Sequence, residues 1–289
     1  MGEPVRFLKM NGLGNEFVVV DARLSGVSFT PAQVRSIANR DTGPGCDQFI
    51  VMEAPPAGGA DVLMRIYNED GGEVAACGNA SRCVAALVAE ELGRPEVVIA
   101  TGAGHLPSVV DGDIVTVDMG VPRFGWAEIP LAEAFADTTG IELQIGPIDD
   151  PIVHTPSVVN VGNPHAVFWV KDDPDFYELD RFGPMLEHHP IFPERANIEL
   201  AQVLAPDLIK ARVWERGVGL TRACGTGACA VAVAAARKGL AGRKVRIALP
   251  GGELGIEWRE SDDHMLMTGP WSLDGEGVLA DELLAESAA

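Results

Sequence analysis

The feature that most constrains this chain is an internal repeat. Four blocks recur in the same order at offsets of 147 to 149 residues: Gly14-Asn15 with Gly162-Asn163, Gln48 with Asn197, Cys77 with Cys224, and segment 97–100 with segment 245–248. An aromatic residue precedes each cysteine at the same spacing, Tyr67 in the first copy and Trp214 in the second. Because a fixed period is the signature of a duplicated structural unit, the chain is predicted to contain two copies of one domain.

The repeat breaks near residues 120–123, which predicts an N-terminal half over 1–121 and a C-terminal half over 122–269. Segment 270–289 is predicted to return to the first half. Each copy reads as many short strands rich in Val, Ile and Phe, separated by Gly, Pro and Asp turns. We expect an α+β fold of two pseudo-symmetric duplicated domains, each a curved, mostly antiparallel sheet wrapped around a central helix.

Three helices are predicted. Thr30-Pro31-Ala-Gln33 carries an N-cap threonine, a proline at the first helical position and a glutamine at the third. The other two run from about 78 to 92 and from about 225 to 239, and each begins directly after a cysteine. The last is apolar nearly all round, which indicates a helix enclosed by sheet.

Cys77 and Cys224 therefore lie where a polar, glycine-containing loop meets the start of an apolar helix. The positive end of the helix dipole and its free N–H groups are predicted to stabilise a thiolate and to lower the cysteine pKa toward neutrality. The same N–H groups are suited to hold a carboxylate. The other three cysteines, Cys46, Cys83 and Cys229, are predicted to be buried thiols.

If the two helix starts face one substrate, a thiol lies on either side of its Cα. One thiolate then removes the α-proton, and the opposite thiol returns a proton to the other face. This chemistry requires neither a metal nor pyridoxal phosphate. The spacings of Cys77 with Cys83 and of Cys224 with Cys229 do not match structural zinc sites, and Gly12-Leu-Gly14 precedes an apolar strand where a dinucleotide loop would follow one.

Charge and composition limit the binding partners and the cellular location that the sequence predicts. The formal net charge is −20 with acidic residues spread along the whole sequence, which disfavours binding to nucleic acid or to anionic membrane surfaces. The first residues lack the features of a signal peptide, and no apolar run approaches a membrane span. A cytoplasmic protein is expected, with its cysteines reduced.

The chain closely resembles the diaminopimelate epimerases over nearly its whole length. The motifs that carry the resemblance are segments 9–17, 45–48, 67–71, 76–79, 162–165, 193–197, 214–217 and 223–228. The resemblance implies interconversion of L,L- and meso-diaminopimelate, in lysine and peptidoglycan precursor synthesis, by two cysteines without a cofactor or metal. It also suggests a homodimer.

The resemblance assigns roles to individual residues. Cys77 and Cys224 are the acid/base pair, and His165 and Glu215 support the thiols. The substrate-binding positions are Asn15, Gln48, Asn68, Gly78, Asn79, Asn163, Asn197, Glu215, Arg216, Gly225 and Thr226. Two departures from the family pattern occur: Asn11 stands where His is usual, and Ala80-Ser81 replaces a smaller, glycine-containing pair.

The sequence leaves two alternative functions open. A proline or hydroxyproline racemase-like enzyme would also use opposed cysteines, but a compact cyclic substrate has no distal zwitterion for Arg216 and Glu215 to bind. A non-catalytic amino-acid-binding or thiol redox protein is the alternative from a different class.

Overall fold

A computed structural model describes residues 4–284, and these form two compact units. Unit 1 comprises residues 4–117 and 269–284, and unit 2 comprises residues 118–268. Of the segment predicted to return to the first half, residues 285–289 lie outside the described range. None of the helices within residues 4–284 has the length and apolar composition that a membrane span requires.

The described residues contain nineteen strands, five α-helices and one 3₁₀ helix. In chain order they are β1 (Arg6–Gly12), β2 (Asn15–Asp21), α1 (Pro31–Ala38), β3 (Gln48–Glu53), β4 (Val62–Asn68), β5 (Glu73–Val74), α2 (Gly78–Leu92), β6 (Glu96–Thr101), β7 (Gly104–Asp111), β8 (Ile114–Asp118), β9 (Gln144–Ile145), β10 (Val153–His154), β11 (Ser157–Asn160), β12 (Pro164–Trp169), a 3₁₀ helix (Pro174–Phe176), α3 (Leu179–Glu187), β13 (Asn197–Ala205), β14 (Leu208–Glu215), β15 (Gly219–Thr221), α4 (Gly225–Arg237), β16 (Lys244–Leu249), β17 (Gly252–Trp258), β18 (Met265–Pro270), β19 (Ser272–Val278) and α5 (Asp281–Leu284).

The strand pairings repeat between the units. In unit 1, β1–β2, β3–β4, β4–β5, β6–β7 and β7–β8 are antiparallel, while β2–β3 and β4–β6 are parallel. In unit 2 the series that begins at β11 pairs in the same way, strand for strand, up to β18. The predicted fold class, two duplicated domains with mostly antiparallel sheets, is confirmed.

The strands of unit 1 carry continuous apolar runs because both faces of their sheet are covered. Val18 and Val20 of β2 share a buried cluster with Val34 and Ile37 of α1. On the other side, α2 packs against β1, β4, β6 and β7. A strand buried on both faces loses the alternation of apolar and polar residues that a one-sided strand shows.

Helix α4 occupies the corresponding place in unit 2. It packs against β11 to β14, β16 and β17, and ten of its thirteen residues are buried. Small side chains from Ala228 to Ala235 let the surrounding strands approach it closely. The predicted enclosure of this helix by sheet is confirmed; the helix ends at Arg237, two residues before the predicted end.

Helix α1 shows how local sequence sets an element's start. Thr30 is the N-cap, its side chain accepts a hydrogen bond from the Gln33 backbone N–H, and the Gln33 side chain accepts one from the Thr30 N–H. Pro31 occupies the first helical position. The capping box that the sequence predicts is therefore present, and two N–H groups at the helix start are satisfied.

Replacing Thr30 tests this cap. We expect Thr30→Ala to lower the free energy of unfolding by about 1 kcal/mol, because the Gln33 N–H loses its acceptor at an exposed helix start. Urea denaturation followed by circular dichroism measures the change. Thr30→Ser keeps the hydroxyl and is the matched control, so equal midpoints for the two variants would contradict the assignment.

Candidate active site

Cys77 is the N-cap residue of α2 and has extended backbone angles, φ −147° and ψ 109°. Its side chain is partly exposed, whereas Gly78 and Asn79 in the first helical turn are buried. The Ser81 hydroxyl and N–H both bind the Cys77 carbonyl, at 2.9 and 3.0 Å. Since the first N–H groups of a helix have no intrahelical acceptor, this turn presents donors beside the sulfur.

The Asn79 side chain is held from behind by a buried arginine. Arg82, wholly buried, donates from Nη1 to Asn79 Oδ1 at 2.9 Å and from Nε to the Pro270 carbonyl at 3.0 Å. A charge-assisted hydrogen bond of this kind fixes the amide's orientation. Arg82 therefore sets the conformation of a predicted substrate-binding residue.

Three amide side chains lie on neighbouring strand ends of unit 1. Gln48 begins β3 and donates from Nε2 to Oδ1 of Asn68, at the end of β4, at 2.9 Å. Asn15 begins β2, and its Nδ2 donates to Asp47 Oδ2, also at 2.9 Å. The Gln48 Oε1 atom is buried and has no hydrogen-bond donor within the described part of the chain. It is an acceptor available to a ligand.

Cys224 is the equivalent N-cap of α4 in unit 2, and it is buried, with 4 % of its surface exposed. Its sulfur accepts from the Gly227 N–H at 3.3 Å and lies 3.5 Å from the Thr226 hydroxyl. A Cβ atom placed on Gly227 would lie 3.3 Å from this sulfur and 3.3 Å from Glu199 Oε1. A side chain at this position would therefore crowd both the sulfur and the Glu199 carboxyl group.

The predicted lowering of the cysteine pKa is wrong for Cys224. Burial, followed by the nearby Glu215 carboxyl group, raises the pKa of this thiol well above its ordinary value. The hydrogen bonds from Thr226 and from the Gly227 N–H oppose the rise but are weaker. The helix start does stabilise a thiolate, but desolvation outweighs it at this depth. Cys224 is a thiol at neutral pH.

The polar residues of unit 2 form one connected group around His165. This histidine, wholly buried on β12, has Nδ1 2.6 Å from Glu199 Oε1 and Nε2 2.7 Å from Asn163 Oδ1. Asn197 donates from Nδ2 to the Pro164 carbonyl at 3.1 Å and accepts from the Arg216 N–H at 2.8 Å. The structure thus brings His165 together with the predicted substrate-binding residues Asn163 and Asn197.

The β14–β15 hairpin carries Glu215 and Arg216. Burial raises the pKa of the Glu215 carboxyl group, while hydrogen bonds from Thr221 and Cys224 oppose the rise. The Thr221 hydroxyl donates to Glu215 Oε1 at 2.6 Å. The Arg216 guanidinium is exposed and donates from Nη1 to the Glu194 carbonyl at 2.8 Å. Glu215 is therefore inside the group that surrounds Cys224, whereas the Arg216 side chain lies at its solvent edge.

The other three cysteines are buried, as predicted. Burial raises the pKa of Cys46 and of Cys83 to about 12, so both remain thiols. Within residues 4–284, no three or more His, Cys, Asp or Glu side chains are grouped as a metal site would require.

Sequence reasoning missed three residues that hold the site in place. Asp47 binds Asn15 and the Glu16 N–H in unit 1. In unit 2, Glu187 of α3 accepts from Trp214 Nε1 at 2.7 Å and from the Gly217 N–H at 3.0 Å, which fixes the hairpin. Glu199 binds His165. For Glu199 the repeat could have indicated burial, because this residue aligns with the apolar residue Ile50 of the first copy.

Comparison with known proteins shows which family this chain belongs to. The family model described as diaminopimelate epimerase matches residues 7–125 and 157–273. The chain belongs to the diaminopimelate epimerase family. A diaminopimelate epimerase of Bradyrhizobium sp. strain BTAi1 is 56 % identical over 285 residues, covering 98 % of this chain and 97 % of the relative. One of Methylorubrum populi is 55 % identical over 288 residues, covering 97 % and 96 %.

A solved structure of low sequence identity shares the fold of this chain. The hydroxyproline epimerase from Agrobacterium vitis, with bound trans-4-hydroxy-L-proline, has a TM-score of 0.68 and 18 % identity and covers 96 % of this chain and 93 % of its own. At this identity the comparison supports the shared architecture and carries no information on substrate.

The two departures from the diaminopimelate epimerase pattern have structural roles. Asn11 Oδ1 accepts from the Gly14 N–H at 2.7 Å and so closes the turn between β1 and β2. Ser81 binds the Cys77 carbonyl, and Ala80 is wholly buried in the first turn of α2. Both positions therefore stabilise the backbone next to predicted site residues.

The raised pKa of Cys224 predicts a pH-dependent reactivity. Only the thiolate is alkylated, so the rate of iodoacetamide modification at Cys224 should rise with pH later than for an ordinary thiol. Glu215→Gln removes a negative charge beside the sulfur, and we expect it to lower the pKa and move the alkylation profile to lower pH. Mass spectrometry of the Cys224 peptide measures the rates.

The control is Glu253→Gln, which removes an exposed carboxylate of the same unit that pairs with Arg246. It should leave the Cys224 profile in place. A profile that is identical in Glu215→Gln and wild type would contradict the electrostatic role of Glu215.

Proposed function

We propose that this chain interconverts L,L- and meso-diaminopimelate, with Cys77 and Cys224 as the two acid/base groups. The observation that carries the proposal is that the duplicated units each place a cysteine at the N-cap of their central helix. Two equivalent thiols meet the need of an inversion, which removes a proton from one face of a carbon and returns one to the other.

The substrate's reacting carboxylate would bind at the helix starts. The N–H groups of Gly78 and Asn79 in α2, and of Gly225 and Thr226 in α4, are the donors that an anion meets at a helix N-terminus. As the α-proton leaves, negative charge grows on this carboxylate. Fixed donors that already point at it lower the barrier, because they need no reorganisation during the reaction.

The distal end of diaminopimelate carries a second carboxylate and a second ammonium group. Arg216 is suited to the carboxylate, because its exposed guanidinium is held at the site edge by a single backbone carbonyl. Glu215 is suited to the ammonium group. The side chains of Asn15, Gln48, Asn68, Asn163 and Asn197 supply further donors and acceptors, and the open acceptor Gln48 Oε1 fits an ammonium N–H.

The two thiols would have different starting states. The raised pKa of Cys224 makes it the proton donor of the resting enzyme. Cys77 then takes the α-proton when the substrate's ammonium and carboxylate groups are in place. His165 and Glu215 would support the thiols, and Glu215 accepts a hydrogen bond from Cys224.

We further propose that the protein acts in the cytoplasm as a homodimer. The formal charge of −20 supports the absence of a nucleic-acid or anionic-membrane partner. Light scattering coupled to size-exclusion chromatography tests the dimer, since a monomer mass would contradict it.

Incubation with L,L-diaminopimelate in D₂O under reducing conditions tests the reaction itself. Wild type should form meso product that carries deuterium at Cα, without added metal or cofactor. Cys77→Ala and Cys224→Ala should each reduce the rate by at least about 10²-fold to 10⁴-fold, because each removes a general acid/base. Isomer ratio and deuterium content are followed by chromatography and mass spectrometry.

Cys46→Ala is the control, because Cys46 is a buried thiol outside the proposed site. It should retain deuterium incorporation. If wild type, folded and reduced, exchanges no α-proton, a non-catalytic amino-acid-binding role becomes the better account.

Substrate comparison separates the proposal from the racemase alternative. We expect turnover of diaminopimelate and none of L-proline or trans-4-hydroxy-L-proline. A cyclic substrate has no distal ammonium and carboxylate groups, so Glu215 and Arg216 would have no ligand group to bind. Polarimetry on each amino acid measures this. Faster turnover of proline than of diaminopimelate would assign the chain to the alternative reaction.

A further inference from the structure

Glu199 is a fully buried carboxylic acid that takes no part in the proposed reaction. It lies on β13, where Ile198 and Leu200 belong to the core cluster on one face of the strand. By the alternation of a strand, Glu199 points to the opposite face, toward α4. The 3.3 Å separation between its Oε1 and a Cβ placed on Gly227 agrees with this direction.

The histidine between Glu199 and Asn163 has a defined hydrogen pattern. Asn163 presents its amide oxygen, which only accepts, to His165 Nε2 at 2.7 Å, so this nitrogen carries the hydrogen of the contact. Asn197 Nδ2 lies 3.5 Å from the same nitrogen and donates to the nearer Pro164 carbonyl, at 3.1 Å. One further proton then lies in the 2.6 Å contact between His165 Nδ1 and Glu199 Oε1. Removing that proton would leave an unpaired charge in a buried site, which is strongly unfavourable.

The same positions of unit 1 show that the fold does not need this pair. The strand register aligns His165 and Asn197 with Phe17 and Gln48, so Glu199 corresponds to Ile50. Phe17 and Ile50 are both wholly buried. Apolar side chains of similar size thus fill the equivalent space, and burying an ionisable pair brings no gain in stability over them.

Glu199 is also incompletely satisfied. Its Oε2 atom is buried and has no hydrogen-bond partner within residues 4–284. Burial raises the pKa of this carboxyl group, and His165 opposes the rise. The titratable groups that face it are His165 of β12, Glu215 at the end of β14 and Cys224 at the start of α4. All three belong to the candidate active site.

We propose that Glu199 is a positioning residue of the active site, which acts through His165 to fix the side-chain amide of Asn163. With Oδ1 committed to His165 Nε2, the Asn163 NH₂ group is turned away from the ring and toward the ligand side. The inference rests on the proposed function, in which Asn163 binds substrate. Without Glu199, His165 Nδ1 would lose its hydrogen bond, the imidazole would be free to change orientation, and Asn163 would lose its fixed partner.

Two substitutions at Glu199 separate positioning from packing. Glu199→Gln can donate its NH₂ to His165 Nδ1 and so preserves the tautomer; it should keep kcat/KM within about fivefold, the effect of weakening one hydrogen bond. Glu199→Val removes the partner and should lower kcat/KM by about 100-fold with a raised KM, because the substrate contact is misplaced. Thermal unfolding confirms that each variant is folded.

The control is the double variant His165→Phe/Glu199→Ile, which reproduces the Phe17 and Ile50 pair of unit 1. It should fold with a melting temperature no lower than that of Glu199→Val, while its epimerisation is at least as impaired. Activity restored by this apolar pair would show that the site needs only volume there, and would overturn the proposal.

Nuclear magnetic resonance of ¹⁵N-histidine-labelled protein reads the tautomer directly. The His165 signals, assigned by their loss in His165→Phe, should show a hydrogen on Nε2 in wild type and in Glu199→Gln. In Glu199→Val the Nδ1 signal should shift, because this nitrogen has lost its hydrogen bond. Unchanged signals in a folded Glu199→Val would overturn the proposal, as would wild-type kcat/KM in that variant.

The two hypotheses fail in different ways. If wild type does not epimerise diaminopimelate, the proposed function fails, while the tautomer measurement still tests the link from Glu199 to His165. If wild type is active and Glu199→Gln is as impaired as Glu199→Val with its His165 signals intact, the positioning role is wrong.

Discussion

The enclosure of each central helix by the strands of its own unit is the constraint on which the rest of this structure depends. Cys77 and Cys224 are N-cap residues, so their position follows from where the helix begins. Because strands pack around α2 and α4, neither helix start can shift without disturbing a buried core. The sulfur and the first N–H donors are therefore held together as one rigid group.

The two units keep this arrangement while their polar residues differ. Neighbouring strand ends carry Asn15, Gln48 and Asn68 in unit 1 and Asn163, Asn197 and Glu215 in unit 2. The change from an amide to a carboxyl group, with His165 and Glu199 in place of two apolar residues, gives the cysteine of unit 2 a titratable surrounding. Divergence after duplication has changed charge and left the backbone pairing intact.

Sequence was sufficient for whatever depends on local pattern or on the repeat. The Thr30 capping box, the start of α2 at Gly78 and the duplicated fold all follow from short-range signals, and the substrate-binding positions were assigned by resemblance. Glu199 was missed because an acid in a strand ordinarily faces solvent, and only the packing of α4 over β13 shows that both faces are covered. The alignment of Glu199 with the apolar Ile50 was the one sequence feature that indicated its burial.

The protonation state of Cys224 could not be predicted from the sequence for a related reason. A helix N-terminus favours the thiolate, whereas burial and neighbouring carboxyl groups favour the thiol. Sequence gives the sign of each effect, but their balance depends on depth, which the surrounding strands set. An inversion by two bases needs one partner to begin protonated. Burial beside Glu215 and Glu199 favours the thiol form of Cys224, which suits it to that part of the proposed reaction. The chemical asymmetry of the proposed site therefore follows from how deeply unit 2 buries the start of α4.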